Sequence, residues 1–376
     1  MTTTYRAGAI GRTGGGDYGH GLDIAYEGIP NVKFIAVADP DSNGRQKAVE
    51  RTGAEQSYAD YREMLEKANL DVVSVCPRWI DCHAEMVIAC AEAGVNGIFC
   101  EKPFARTLVE ADAMIDACER NGVKMAVAHR RASGYEQYAK KLVEAGEIGD
   151  ILVMRGHGKD DRRAGAMDLM VLGTHILDSM RFFAGSDVAW AHGHVTQDGS
   201  EISLEDIREG EEQVGLLAGN GAAGHYVFKN GIRASYETHA GIPPGGIDSA
   251  RWFGFEVHGS EGIIALRNSP KGEMYVYPYG TWIPGEENGK WERVLLDDWE
   301  NAPEGDTERS NRMIVEELIQ AIEEDGEVRN CSSGHDARAA LEMIMAVHES
   351  QRLGTRVSFP LENRENPYEV WRRETI

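Results

Sequence analysis

Three polar side chains in this sequence, Lys102, His175 and Asp168, are of types suited to proton transfer and charge stabilisation. Lys102 follows an apolar run at residues 98–100 and directly precedes a proline. The apolar run predicts a buried parallel strand, and a proline disfavours helical geometry at the residue before it. Lys102 is therefore predicted to lie at the carboxyl end of a strand, where open α/β sheets bind ligands. The alternative is a surface lysine that only pairs with Glu101, and the local sequence does not separate the two.

A glycine-rich segment at residues 11–21 follows the first predicted strand. A helix is predicted over residues 22–27 and a second strand over residues 32–38. Strand, glycine-rich turn, helix and strand is the order of a dinucleotide-binding unit. The strict G-x-G-x-x-G spacing is not met, because Thr13 occurs two residues after Gly11. A glycine-rich loop alone is also compatible with a flexible turn.

Asp39 ends the second predicted strand, where an acidic residue can bind the adenosine ribose. Its carboxylate can accept hydrogen bonds from both ribose hydroxyls, and it repels a 2′-phosphate. We therefore predict that NAD, rather than NADP, binds at Gly11, Thr13, Gly14 and Asp39. The alternative is that Asp39 belongs to a plain turn.

The alternation of predicted strands and helices up to residue 130 indicates a doubly wound parallel sheet of the Rossmann type. Beyond it, alternating strands predict antiparallel pairing, with a hairpin signal at the Asn-Gly pair 230–231. The predicted fold class is α/β, with a dinucleotide-binding domain at residues 1–130. Residues 131–376 are predicted to form a C-terminal α+β domain with a large, mostly antiparallel open sheet. The acidic segment 285–309 is predicted to be a loop.

Composition limits the classes of function. The chain has 376 residues, is 42% apolar and carries a net charge of -23, which excludes nucleic acid and anionic membrane surfaces as expected partners. It has no run of about 18 apolar residues, so no membrane span is expected. The N-terminus lacks a signal-peptide pattern, and the six cysteines form no zinc-type C-x-x-C pair. We expect free buried thiols and a cytoplasmic location.

The tripeptide Glu-Lys-Pro at residues 101–103, after its buried strand, resembles the Gfo/Idh/MocA family of nicotinamide-dependent sugar and polyol oxidoreductases. The resemblance runs through nearly the whole chain. It implies that Lys102 lies beside the reacting hydroxyl and the nicotinamide, with Glu101 also at the cofactor. A segment that includes Pro77 and His83 resembles the family's wall of the cofactor pocket. Trp79, within it, is expected either near the nicotinamide or, by slight preference, in the core.

His175 occupies the position of the histidine in the family's helical Asp-x-x-x-His pair. Four residues earlier the chain has Val171 instead of the aspartate. Asp168 precedes His175 by seven residues, which in an α-helix is two turns and nearly the same face. Asp168 is therefore expected to replace the missing acid or to bind a substrate hydroxyl. The catalytic candidates are Lys102, His175 and Asp168, and no metal site is expected.

The candidate substrate ligands are His129, Arg131, Arg163 and Asp168. Arg131 and Arg163 each belong to a pair of adjacent arginines, which would suit an anionic sugar. Their guanidinium groups are equally compatible with a phosphate or with pairing to surface carboxylates.

The resemblance implies an NAD-dependent oxidoreductase that transfers a hydride between the nicotinamide and a hydroxyl or carbonyl carbon of a sugar, sugar acid or cyclic polyol. One alternative is an NAD-dependent glycosidase that oxidises a sugar carbon, eliminates the aglycone and then reduces again. A second is a non-catalytic sugar sensor, which the presence of both Lys102 and His175 disfavours. The resemblance also implies a homodimer or homotetramer, assembled through the open face of the C-terminal sheet.

Overall fold

The computed structural model describes residues 4–240, 253–268, 272–280, 289–301 and 305–375. Its strands, in chain order, are β1 (Tyr5–Ile10), β2 (Val32–Ala38), β3 (Gln56–Tyr58), β4 (Val72–Val75), β5 (Gly97–Cys100), β6 (Lys124–Val127), β7 (Ile151–His157), β8 (Val188–Gln197), β9 (Ser200–Glu201), β10 (Arg208–Glu209), β11 (Leu216–Leu217), β12 (Gly221–Phe228), β13 (Arg233–His239), β14 (Gly254–Gly259), β15 (Ile263–Arg267), β16 (Glu273–Tyr277), β17 (Glu292–Val294), β18 (Ser332–Ser333) and β19 (Val357–Ser358).

The helices of the described residues, in chain order, are α1 (Ser42–Thr52), α2 (Tyr61–Lys67), α3 (His83–Glu92), α4 (Leu108–Asn121), α5 (Gly134–Glu144), α6 (Ala166–Asp168), α7 (Thr174–Ala184), α8 (Asp297–Glu300), α9 (Asp306–Glu323), α10 (Gly334–Leu353) and α11 (Pro367–Thr375). A π-helical segment, Leu169–Gly173, joins α6 to α7. Short 3₁₀ turns occur at Ile80–Cys82, Arg130–Ala132, Leu204–Asp206 and Glu211–Gln213. None of the helices in this part of the chain combines the length and apolarity needed to cross a bilayer.

The chain divides into two compact units. The first extends to Ala132 and also takes in Glu211–Val214 and Thr307–Arg338, and the second contains the rest of the described chain. The predicted boundary after residue 130 lies two residues before the observed one. The structure differs in assigning Thr307–Arg338 to the first unit, because most of α9 packs on its sheet and β18 pairs with β6. The functions expected of the two domains remain predictions.

A parallel sheet forms the centre of the first unit, with strand order β18-β6-β5-β4-β1-β2-β3. Strands β1 to β6 run parallel, and only β18 is antiparallel to its neighbour. All four residues of β5 are buried, as expected where helices cover both faces of a parallel sheet. Helix α9 covers one face of the sheet at β5, since a Cβ at Gly97 would come within 2.8 Å of Ile322. The predicted doubly wound sheet is confirmed.

The helix predicted over residues 22–27 is wrong. This stretch forms consecutive turns, with hydrogen bonds from Ile24 N to Gly21 O and from Glu27 N to Ile24 O. Gly21 and Gly28 have positive φ angles, which interrupt helical geometry at both ends. The turns are nevertheless anchored, because the hydroxyls of Tyr26 and Ser74 are 2.8 Å apart in the interior.

The second unit contains a ten-stranded sheet, in which the consecutive neighbours are β17-β16-β15-β14-β7-β13-β12-β8-β19 and β9 pairs with β8. Among the described strands of this sheet only β7 and β13 are parallel neighbours, so the prediction of a large, mostly antiparallel sheet is confirmed. Helix α7 packs on it, since a Cβ at Gly156 would lie 2.6 Å from Ile176. The loop predicted over 285–309 is wrong where the structure has β17, α8 and the start of α9. The part of that prediction at residues 285–288 and 302–304 lies outside the described residues.

Candidate active site

Lys102 lies at the carboxyl end of β5, as its sequence context predicts. The preceding residue continues the parallel ladder, since Glu101 N donates to Val75 O over 2.9 Å. The Lys102 backbone N–H then donates to Glu101 Oε2 over 2.8 Å. Lys102 is only 8% exposed, so the alternative of a surface lysine is wrong. A lysine that is buried beside a ligand-binding edge is a candidate for function.

Glu101 is fully buried beneath this edge. Burial alone would raise the pKa of its carboxyl, but the charge and hydrogen bond of His20, with the charge and backbone N–H of Lys102, lower it to about 2. The carboxylate therefore stays ionised, and as an ion it can only accept hydrogen bonds. His20, from the glycine-rich segment, contacts Oε1 of this carboxylate through Nδ1. Sequence reasoning missed His20, because no local pattern brings residue 20 to the end of β5.

Both residues predicted to line the cofactor pocket follow β4: Pro77 lies in the segment directly after it, and His83 is the first residue of α3. His83 is fully buried, and its two ring nitrogens contact backbone carbonyls, Nε2 at 2.6 Å from Pro77 O and Nδ1 at 3.1 Å from Phe104 O. The imidazole thus ties the segment after β4 to the segment after β5. This geometry supports a role in positioning Lys102, and the predicted contact with the cofactor remains a prediction.

The glycine-rich segment follows β1 and packs against the end of β2, where Asp39 is fully buried. Gly11 N donates to Ala38 O over 2.8 Å, which continues the ladder between β1 and β2. The exposed Thr13 donates its hydroxyl to Asp39 Oδ2 over 2.7 Å, and its backbone N–H lies 3.1 Å from the same oxygen. Gly14 is exposed at a φ of +79°, and a Cβ there would touch nothing within 4 Å. The structure therefore brings these four predicted cofactor residues together.

A second contact that sequence reasoning missed holds this loop down. Arg12 Nη1 lies 2.8 and 2.9 Å from the two oxygens of Asp81, just after β4. Its guanidinium also lies over the ring of Trp79, 5.9 Å from the centroid. Gly16 is necessary here, since a Cβ would come within 2.3 Å of the backbone nitrogen of Arg78. Trp79 is half-buried, so the preferred expectation of a core aromatic is wrong.

His129 and Arg131 lie at the end of β6, but their side chains point into the first unit. Both are at most 2% exposed. His129 Nδ1 is 2.9 Å from Ser332 Oγ, and Arg131 Nη2 donates to Asp336 Oδ2 over 2.6 Å and to Cys331 O. The contacts fasten residues 331–336 to the edge of the parallel sheet. They favour a structural role, and a substrate role for either residue remains a prediction.

Asp168 is fully buried in the second unit, at the end of α6. Its Oδ1 accepts from Tyr236 OH over 2.8 Å and its Oδ2 from Asp160 N over 3.0 Å. Burial raises the pKa of the carboxyl to about 6, against the lowering effect of these two hydrogen bonds and with help from the charges of Asp160 and Asp161. A carboxyl near this value can exchange a proton at neutral pH, which suits the predicted acid–base role.

The seven-residue spacing from Asp168 to His175 does not run through a continuous α-helix. The π-helical segment between them takes an extra residue per turn and changes the phase of the helix. The positions that face β7 and β13 are Asp168, Gly173 and Ile176, as shown by their contacts with Tyr236 or Gly156. His175 directly precedes Ile176 and is half-buried. A shared face for Asp168 and His175 remains a prediction. Val171, at the position of the family's acid, is buried.

Arg163 lies in a polar loop, residues 158–165, that is paired internally. Its Nε donates to Asp161 Oδ1 over 2.9 Å, and its Nη2 bonds the other oxygen of the same carboxylate. Burial alone would raise the pKa of Asp161, but its bonds to Arg163 and the charges of Arg163 and Lys159 lower it below the usual range. Arg163 therefore already carries a carboxylate partner, and its predicted contact with substrate remains a prediction.

Comparison with known families gives two matches along the chain. Residues 7–129 match the model of an oxidoreductase family with an NAD-binding Rossmann fold. Residues 137–265 match the model of the GFO/IDH/MocA C-terminal domain. The two matches follow each other in the order of the two predicted domains.

Comparison with individual proteins also gives sugar and polyol dehydrogenases as relatives. The chain is 30% identical over 302 residues to a levoglucosan dehydrogenase of Pseudarthrobacter phenanthrenivorans, which covers 71% of this chain and 75% of that protein. It is 28% identical over 261 residues to a myo-inositol 2-dehydrogenase of Thermotoga maritima, over 66% of this chain and 75% of that protein. A solved levoglucosan dehydrogenase in complex with NADH superimposes with a TM-score of 0.75 at 24% identity, over 96% of this chain and 100% of that one. At this level of identity, the superposition on the solved structure shows only that the two chains share a fold.

Proposed function

The chain belongs to the Gfo/Idh/MocA family of NAD-binding oxidoreductases, as its Glu-Lys-Pro segment predicts, and on that premise we propose that it transfers a hydride between NAD and a hydroxyl-bearing carbon of a sugar or cyclic polyol. One observation carries the proposal. Lys102 is buried at the carboxyl end of β5, in the same unit and at the same sheet edge as the glycine-rich loop and Asp39. Carbohydrate is proposed as the substrate class because the relatives' names specify levoglucosan and myo-inositol.

The residues at this edge fit a dinucleotide. Thr13 and Gly14 are exposed on the loop after β1, and the position of a Cβ at Gly14 is open space. Asp39 supplies a carboxylate at the end of β2, the position that serves an adenosine ribose in this fold. Gly11, Thr13 and Gly14 would hold the pyrophosphate, and Asp39 the ribose. When bound, the nicotinamide supplies the hydride acceptor or donor.

Lys102 is proposed to act on the hydroxyl that is oxidised. Its ammonium group would stabilise the negative charge that develops on the oxygen as the proton and the hydride leave. Glu101 and His83 hold the backbone on either side of it, so its position is set before substrate arrives. His175 and Asp168 are proposed as proton carriers. The pKa of about 6 at Asp168 supports this, while its two hydrogen bonds also fit a positioning role.

A neutral sugar or cyclic polyol is proposed in preference to an anionic one. The two arginines named as candidates for an anionic substrate already have acidic partners. Arg163 is bonded to Asp161, and Arg131 to Asp336. The Arg163–Asp161 pair is bidentate and therefore strong, so a sugar acid would have to break it to gain the same interaction with Arg163.

The proposal includes a homodimer or homotetramer in a reducing compartment, the cytoplasm. Leu152, on β7 of the second sheet, is a large apolar side chain that is 56% exposed. Its burial against a second copy would remove this apolar surface from water. All six cysteines lie in the described part of the chain, and all are buried and free, which supports the reducing compartment.

The experiment is a screen of free sugars, anhydrosugars and cyclic polyols with NAD⁺, followed by absorbance of the reduced cofactor and product analysis. NADH formed in step with a keto product supports the proposal. Glycosides are screened beside them with the same enzyme. Release of an aglycone that requires bound NAD but yields no net NADH would instead establish the glycosidase alternative.

A further inference from the structure

Glu101 is a fully buried carboxylate whose two oxygens have different tasks. Oε2 accepts the backbone N–H of Lys102 over 2.8 Å. Oε1 contacts His20 Nδ1. Because an ionised carboxylate only accepts, His20 must be the donor in this contact. One buried group thus connects a residue of the glycine-rich loop to the backbone of the lysine proposed to act on the substrate.

The residues around His20 hold it close to the Glu101 carboxylate. The residue before it, Gly19, has a φ of +60°, and a Cβ there would come within 2.4 Å of Cys76 O and 2.8 Å of Glu101 Oε1. Any side chain at this position would therefore push the loop away from Glu101. On the other side, Asn311 Nδ2 donates to the backbone oxygen of His20 over 3.0 Å. The imidazole itself is 43% exposed, so one side of the ring faces solvent.

The charges around Glu101 show why a donor is needed. The groups with electrostatic influence on it are His20 and Lys102. The thiols of Cys76 and Cys100 also feel the Glu101 charge, and burial raises the pKa of both far above the usual range, so they stay neutral. A buried carboxylate with fewer than these two cationic or donor partners would be costly. Loss of His20 would leave Lys102 as its main compensation.

We propose that His20 is a positioning residue for the hydride-transfer site, which acts through Glu101 to fix the backbone and the electrostatic environment of Lys102. The proposal rests on the proposed function in one respect, that Lys102 takes part in turnover. It assigns the glycine-rich loop a second task besides cofactor binding. When the loop is in place, His20 completes the set of groups that hold Lys102 at the strand end.

Steady-state kinetics of three variants test the effect on turnover. His20→Leu removes the donor at similar size, whereas His20→Asn places an amide N–H where Nδ1 was. The matched control is His335→Leu, since His335 also pairs with a glutamate, Glu119 at 3.1 Å, in the same unit but with its side chain 66% exposed. We expect kcat to fall at least about tenfold in His20→Leu, because a small displacement of a reacting group is costly. The KM for NAD should stay within about twofold, and His20→Asn should recover most of the loss.

A titration of the Glu101 carboxyl tests the same contact without any substrate. Glutamate is labelled with ¹³C at the carboxyl carbon, and Glu101 is assigned by its absence in Glu101→Gln. In the wild-type protein the carboxyl should remain ionised down to below pH 4, because His20 and Lys102 hold its pKa at about 2. In His20→Asn, which keeps a donor but not the charge, it should protonate at a pH between those of the wild type and His20→Leu. In His20→Leu the burial effect prevails, so the carboxyl should protonate at a higher pH. The acid limb of kcat should move upward with it.

The kinetic and titration results together decide between the proposal and its alternatives. A Glu101 titration that is the same in His20→Leu and wild type overturns the proposal, as does a rise in the KM for NAD with kcat unchanged. If no sugar or polyol reduces NAD⁺, the proposed function fails, and the carboxyl titration still decides whether His20 controls Glu101. A shifted titration with unchanged kcat would also overturn the positioning role.

Discussion

Thr13 donates its side-chain hydroxyl to Asp39 Oδ2 over 2.7 Å in the described structure, so the glycine-rich loop itself bonds the carboxylate expected to bind ribose. The other oxygen accepts Asp41 N over 2.9 Å. Gly44 leaves room for this arrangement, since a Cβ there would lie 1.8 Å from Thr13 Oγ1. A ribose hydroxyl that bonds Asp39 Oδ2 would therefore compete with the Thr13 hydroxyl.

The first prediction concerns the cofactor. We expect tighter binding of NAD than of NADP, because a 2′-phosphate would meet the Asp39 carboxylate. Thr13→Val removes the competing hydroxyl at the same size and should tighten NAD binding by about fivefold, the equivalent of about 1 kcal/mol for one hydrogen bond. Fluorescence titration of each protein with both cofactors measures this. Tighter binding of NADP by the wild type would contradict the assignment, and weaker binding of NAD by Thr13→Val would show that the hydroxyl helps to hold the cofactor.

The second prediction concerns Lys102. Lys102→Met keeps most of the side-chain volume and removes the ammonium, so turnover should fall by at least about a hundredfold. The fold should persist with a lower free energy of unfolding, because the backbone contacts of Glu101 and His83 remain while the buried Glu101 loses a cationic neighbour. Turnover is measured beside thermal unfolding of both proteins. Near-normal turnover in a folded variant would show that the buried lysine is structural.

The position of Lys102 was predictable because its determinants are local. An apolar run followed by a charged pair and a proline is enough to indicate a buried strand and its end. Asp39 was predictable for the same reason, since the strand that it ends is apolar and follows a glycine-rich turn. The contact of His20 with Glu101, beside Lys102, and the contact of Thr13 with Asp39 were not predictable. Both depend on the path of an unusual loop. That loop contains glycines with positive φ angles, and its turns replace the expected helix.

Two site predictions depended on assumptions that only the fold could test. Seven residues between Asp168 and His175 imply one face only if the helix is α throughout, and the π-helical Leu169–Gly173 changes the phase. The strand-end position of Arg131 suggested a ligand, but residues 331–336 return to that edge from two hundred positions away. Long-range pairing of this kind has no local signal.

The third prediction concerns the contact between Arg131 and residues 331–336. Arg131 is 2% exposed and donates to Asp336 over 2.6 Å, so Arg131→Met leaves a carboxylate without its buried partner. We expect a loss of roughly 3 kcal/mol in the free energy of unfolding, the order found when one member of a buried pair is removed. The KM for the sugar should be unchanged. Denaturant unfolding and steady-state kinetics measure the two, with Arg338→Met, which loses a more exposed pair with Asp112, as the control. A raised KM with unchanged stability would restore the substrate role.

The last prediction concerns Asp168 and the dependence of stability on pH. Burial raises the pKa of this carboxyl to about 6 in the folded protein. The folded state therefore binds the proton more tightly than the unfolded state, whose carboxyl has a pKa near 4. Protonated Asp168 contributes its full stabilisation below about pH 4, and this is lost as the pH rises through about 6. The difference of about two pKa units corresponds to roughly 3 kcal/mol.

Asp168→Asn is neutral at every pH and so isolates this contribution. The free energy of unfolding of the wild type, minus that of Asp168→Asn, should fall as the pH rises from 4 to 7. Asp198→Asn provides a control of opposite sign, because hydrogen bonds from Gln197 and Asn220 lower the pKa of the exposed Asp198. The free energy of unfolding of the wild type, minus that of Asp198→Asn, should instead rise with pH over the acidic range. Tyr236→Phe removes the 2.8 Å hydrogen bond that lowers the pKa of Asp168, so it should move the Asp168 transition to higher pH. A wild-type minus Asp168→Asn difference that does not change with pH would mean that the carboxyl is hydrated in the folded protein, and it could then not act as a proton carrier poised near neutral pH.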